Sequence, residues 1–187
     1  SANRAGEKFK QAISNLLAKE AGVDLEVAAE QREEPELKAT DVFQQNGVEI
    51  KTSKEGDPEA FVDELTPEMV QVGVTACSII KGLAGKDTPC VITDGVRKIE
   101  DQPSDRNGRP QRSFHVTGNA IDIRARHLDD EMKERVAGEL QNSLGSEYQV
   151  IWKPYHGEGK TNHIHIERDT EETKSVMNVT FENFAQT

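Results

Sequence analysis

Aromatic residues are scarce in this chain, with six Phe, two Tyr and one Trp among 187 residues. A core here must be built mainly from aliphatic side chains. Nor is there an apolar run approaching the roughly 18 to 20 residues that a membrane-crossing helix needs, so no membrane span is expected. Cysteine is limited to Cys77 and Cys90, which lack the C-x-x-C spacing of a thiolate zinc site. Two cysteines in a chain of this length do not resemble a stapled secreted scaffold. Free thiols are therefore expected in preference to the alternative, a single disulfide across a helix–strand corner. Positive charge is also in deficit: 23 Lys and Arg against 34 Asp and Glu leave a net charge of −11. That excludes a broad electrostatic footprint for nucleic acid or for anionic membranes and wall polymers. A local basic cleft stays compatible with it, because Arg97, Arg106, Arg109 and Arg112 lie close together in sequence. No internal repeat or low-complexity tract is present. No signal peptide is visible, and because the chain starts at Ser1 this absence is compatible with a leader or tag already removed.

What apolar content there is, 34% of residues, has to be concentrated in part of the chain. Residues 1–58 read as a helical, acidic N-terminal extension and linker. Phe9, Ile13, Leu16 and Leu17 fall at helical spacing, and Pro35 interrupts the acidic stretch that follows. "VEIKTS" (48–53) is a possible short strand. A second domain is expected over residues 59–187. Thr66 as N-cap, Pro67 at the first helical position and Gly85 at the end delimit an apolar helix. "PCVITDGVR" is a buried strand entering a turn at Asp94-Gly95, and Asn107-Gly108 marks a further turn. "NAIDIRA" is a strand. An amphipathic helix follows, with Met132, Val136 and Leu140 on one face and Gly145 as its stop. "YQVIW" and "HIHIER" are strands flanking a loop, and "SVMNVTF" is read as a last strand or a tail that packs back. Strands and helices mix without strict alternation, so the expected class is α+β with a mainly antiparallel sheet and flanking helices.

Two of these strands carry chemistry. In "HIHIER", His163 and His165 project to one face and Ile164 and Ile166 to the other; in "NAIDIR", Ala120, Asp122 and Arg124 share a face opposite Ile121 and Ile123. If the strands are neighbours, Asp122 and a histidine come within metal-binding distance, and His115 can enter from the preceding loop, bent back by Gly118. Alone, the His–Asp pair reads as a turn and H-x-H as a solvated strand face. Together they make an N/N/O ligand set with a position left for water, the arrangement that catalytic zinc favours.

The pattern Ser113-x-His115-x-x-Gly118-x-Ala120-x-Asp122, followed some forty residues later by His163-x-His165, resembles the LAS group of zinc peptidases. That group includes the D-Ala-D-Ala carboxypeptidases, the phage L-alanyl-D-glutamate endopeptidases and the hedgehog signalling domain. "ITDGVR" is similar to the group's strand–turn that ends in an arginine. The resemblance spans roughly residues 59 to 168. It implies a hedgehog/DD-peptidase-like domain holding one zinc ion on His115, Asp122 and His165. His163 would then manage protons beside the metal, Arg97 would bind a substrate carbonyl or carboxylate, and Ser113 would hold the ligand loop. The implied activity is hydrolysis of peptidoglycan stem peptides at a bond involving a D-amino acid. The implied place is the bacterial cell wall, with a phage lysis or virion-associated protein the nearest kind.

One position departs from the group. Where many peptidase members carry a carboxylate three residues before the last zinc histidine, this chain has Asn162. Three outcomes are open: His163 works alone, Glu158 swings in from its glycine-flanked loop, or catalysis is lost. In the last case a zinc-binding module would remain that holds a peptide, a wall fragment or a protein partner. His156 and Trp152 are near enough in sequence to line the cleft, though a loop residue and a core or rim aromatic are the simpler readings. Arg126 and His127 are expected in solvent. In any of these cases residues 1–58 could dock the domain onto a larger assembly.

Overall fold

A computed structural model describes residues 37–51, 60–152 and 162–186. The helix expected around Phe9, Ile13, Leu16 and Leu17, and also His156 and Glu158, lie outside them. Leu37–Thr187 forms one compact unit, an α+β arrangement around a five-stranded mixed sheet. Its strands are β1 (Glu49–Ile50), β2 (Val91–Asp94), β3 (Ala120–Arg124), β4 (Tyr148–Ile151) and β5 (His163–Arg168). They lie in the order β1-β2-β3-β5-β4. Only β1 with β2 is parallel; the other three pairings are antiparallel.

The helices are α1 (Ala39–Gln45), α2 (Ala60–Asp63), α3 (Pro67–Ala84), α4 (Asp130–Leu144) and α5 (Glu171–Phe184). α3 has the ends expected of it: the Thr66 hydroxyl accepts from Met69 N, Pro67 opens the first turn, and Gly85 follows with φ 111°. Its buried stripe includes Met69, Val72, Gly73, Ala76 and Ile80. Gly73 is the reason α1 can approach. A Cβ there would stand 2.7 Å from the ring of the fully buried Phe43, and 3.5 Å from Ile121 of the sheet. α4, capped by Asp129 onto Met132 N, buries Val136 and Leu140 and packs on α3 and β4. Ile92, Ile121, Ile123, Ile164 and Ile166 join Val136 and Leu140 in one aliphatic core.

Three expectations change. "SVMNVTF" belongs to helix α5, which starts at a reciprocal capping box between Thr170 and Thr173 with Glu171 and Glu172 in its first turn. Those end signals outweigh the β-branched Val176, Val179 and Thr180, and the helix packs against the turn that carries His115. Cys77 and Cys90 are joined by a disulfide and leave no free thiol. The preference for free thiols is therefore corrected: α3 brings Cys77 to 5.5 Å, Cα to Cα, from Cys90 just ahead of β2, within bridging range. Finally, α1 and β1 lie before residue 59 yet belong to the compact unit. β1 pairs with β2, and Asp63 accepts hydrogen bonds from both Thr40 N and Thr40 Oγ1.

Candidate metal centre

β3 and β5 are direct neighbours, and their register sets Asp122 opposite His165 and Arg124 opposite His163. Alternation then divides the strand pair. Ile121, Ile123, Ile164 and Ile166 enter the core, while Asp122, His163 and His165 share the other face. That face is more enclosed than the sequence suggests, with Asp122 only 5% and His115 only 2% exposed. The side chain of His163 stays 45% exposed.

His115 arrives on a 3-10 turn, Phe114–Thr117. The Ser113 hydroxyl accepts from His115 N at 3.3 Å, so Ser113 does hold this loop. Gly118 ends the turn at φ 68°, where a Cβ would meet the Glu64 carbonyl at 2.5 Å and the start of α3 beside it. Only glycine fits there without strain. The turn is fixed from three sides: Thr66 N donates to Gly118 O, Arg97 N to His115 O and Asn119 N to Phe114 O.

Both imidazoles, His115 buried and His165 partly so, are anchored at one ring nitrogen and turn the other toward Asp122. His115 Nδ1 lies 2.5 Å from the Gly95 carbonyl, which leaves its Nε2 3.5 Å from Asp122 Oδ1. His165 Nε2 lies 2.9 Å from Glu167 Oε2, while its Nδ1 is 2.8 Å from the same Asp122 oxygen. Partners of this kind on the far nitrogen fix ring orientation and tautomer in metal sites. His115, Asp122 and His165 each offer a ligand atom, all within 4.8 Å of one another, so this cluster could hold a metal ion. His163 Nε2 stands 3.9 Å from Asp122 Oδ1, next to the cluster and on its open side.

In the metal-free protein these groups settle their charges among themselves. Burial alone would raise the Asp122 carboxyl, but hydrogen bonds from His115 and His165 hold it well below the usual carboxylate range. Burial works against the His165 imidazolium too, yet Asp122 and Glu167 on its two nitrogens push it up to about 9.

Arg97 stands beside the cluster as expected, but it is engaged. It forms an ion pair with Asp94, through Nε at 2.6 Å and also through Nη2, and reaches the second Asp122 oxygen at 3.4 Å. A shift of register in β2 sets Asp94 opposite Asp122. Two carboxylates in that relation repel, and the guanidinium between them offsets it. Asp94, Gly95 and Glu167 were all missed as members of the site. For Glu167 the signal was present, since it shares the strand face of His165 two residues earlier. The four arginines do not line one cleft: Arg97 is at the cluster, while Arg112 donates to Asn178 of α5 and lines a groove there with Arg109. Asn162, at the departing position, is exposed; its backbone carbonyl accepts from Ala125 N. Arg126 and His127 are in solvent, and Trp152 packs against the core. No helix among the described residues is long and apolar enough to cross a membrane. No protein-family model, curated protein or solved structure matches the chain.

Proposed function

We propose that the protein is a zinc peptidase of the LAS type that hydrolyses peptidoglycan stem peptides. The observation that carries this reading is the convergence of His115 Nε2, Asp122 Oδ1 and His165 Nδ1, each imidazole anchored behind by an acceptor. Two nitrogens and one carboxylate oxygen suit zinc and leave a position for water. The order of these residues along the chain, within the pattern that resembles the LAS group, adds the substrate class. When bound, zinc supplies a Lewis acid that lowers the pKa of a water and polarises the scissile carbonyl.

The chain's own residues have distinct tasks. His115, Asp122 and His165 hold the ion. Gly95 O and Glu167 keep the two rings turned toward it. His163, half exposed beside the cluster, can accept a proton from the attacking water and pass it to the leaving amine. Arg97, fixed by Asp94, places positive charge beside Asp122 where negative charge develops on the substrate oxygen.

The test is digestion of purified peptidoglycan by zinc-loaded protein. His163→Ala should lower turnover by about a hundredfold or more with zinc still near one per chain, whereas Asp122→Ala should lose the zinc. A zinc-loaded wild type that releases no peptide fragments would overturn the reading. Asn162 favours a second one: without a carboxylate at that position the domain would keep zinc and bind a peptide, and zinc-loaded protein would retain stem peptides without cleaving them.

A further inference from the structure

The metal face of β3 and β5 is a ladder of three cross-strand pairs: Ala120 with Glu167, Asp122 with His165, and Arg124 with His163. Directly opposed residues of antiparallel strands lie on the same side, their Cβ atoms about 5 Å apart. Arg124 therefore flanks His163 on the open side of the cluster. Its side chain is half buried and has no hydrogen-bond or ion-pair partner among the described residues. The contrast with Arg97 is sharp, because that guanidinium is shared between Asp94 and Asp122. An incoming carboxylate would have to compete with two residues for Arg97 and with none of the described residues for Arg124.

The surroundings of Arg124 accentuate its charge. His127 is held below the ordinary imidazole range, by burial first and then by the charges of Arg124 and Arg126. Arg124 and Arg126 thus place two positive charges at the end of β3 in a chain whose net charge is −11. Stem peptides carry carboxylates, and a protein this acidic repels them at long range. A short-range cation beside the reacting groups is what such a substrate requires.

We propose that Arg124 receives a carboxylate of the substrate on the His163 side of the metal centre, and so selects anionic over amidated stem peptides. The inference rests on the peptidase reading and adds to it a determinant of specificity. A guanidinium–carboxylate contact is directional and bidentate, which lysine reproduces only in part.

The test is calorimetric titration of zinc-loaded protein with a synthetic stem tetrapeptide, its carboxylates free in one preparation and amidated in the other. Wild type should bind the free acid about tenfold more tightly or better, as expected for a charge-assisted contact. Arg124→Gln should bring the two peptides within about threefold, with zinc still near one per chain, and Arg124→Lys should restore part of the preference. The proposal is overturned if wild type does not discriminate, or if Arg124→Gln keeps the full preference. Peptidoglycan digestion run in parallel separates the two failures. A digesting wild type whose preference survives Arg124→Gln removes only this inference; a wild type that neither digests nor binds either peptide removes the peptidase reading with it.

Discussion

Asp122 faces two imidazoles through one oxygen and meets a guanidinium at the other, so its role depends on which cation the imidazoles share. Without metal that cation is a proton. His165 is raised from 6.5 to about 9 on folding, and its contribution to stability is complete below pH 6.5 and lost as pH rises through 9. Asp122 is lowered from 3.8, so its contribution is complete above that pH and lost in acid. The metal-free protein should therefore draw most stability from this cluster between about pH 4 and 6.5. A zinc ion bound at the cluster would reverse the trend, because it would have to displace the proton on His165. Thermal melts with and without zinc should show the metal-free midpoint falling from pH 6.5 to 9 while the increment due to zinc grows; an increment independent of pH would rule out proton displacement. At this scale the sequence was most legible where a strand's two-residue period decides direction. Asp122, His163 and His165 follow from it, and Glu167 was available to the same reasoning. Asp94 and the Gly95 carbonyl were not, since their positions depend on a register shift and on a turn packed against the Phe61 backbone.

Among the elements, α3 does most to place the metal face. Its first turn receives Gly118, and its body supports Ile121 beside Asp122. Gly118→Ala should cost about 2 kcal/mol or more, since a left-handed backbone and a 2.5 Å contact with the Glu64 carbonyl coincide there. His115 lies in the same turn, so zinc affinity should fall along with stability. Unfolding by urea and competitive zinc titration check the two effects, and a variant with wild-type values in both would deny the turn this role. The caps of α3 and α4 were legible in sequence because their Thr66, Pro67, Gly85 and Gly145 signals are local. α5 was not read as a helix because its β-branched residues dominate the pattern, and the Thr170–Thr173 capping box that starts it lies ahead of that stretch. β1 was legible as a short strand within residues 48–53, but its place in the sheet was not, because only pairing with β2 reveals it.

For the molecule as a whole, the α+β class was evident from the mixture of elements, while strand order, and with it the meeting of Asp122 and His165, required the fold. The disulfide changes the energetic picture. It closes a loop with a sequence separation of 13, for which chain entropy suggests a contribution of about 3 kcal/mol. The paired substitution Cys77→Ala with Cys90→Ala should lower unfolding stability by roughly that much, and reduction of the wild type should do the same. A loss below about 0.5 kcal/mol in both would show that the bridge leaves the native balance nearly unchanged. The bridge joins the middle of α3 to the strand that runs into Asp94 and Gly95, while the first turn of α3 receives Gly118. One covalent link thus braces both approaches to the cluster of His115, Asp122 and His165. Such a link forms in an oxidising space and is undone by cytosolic reductants, so the stiffness of this frame follows the redox state around it. With the two thiols reduced, the same chain carries a looser frame around His115, Asp122 and His165.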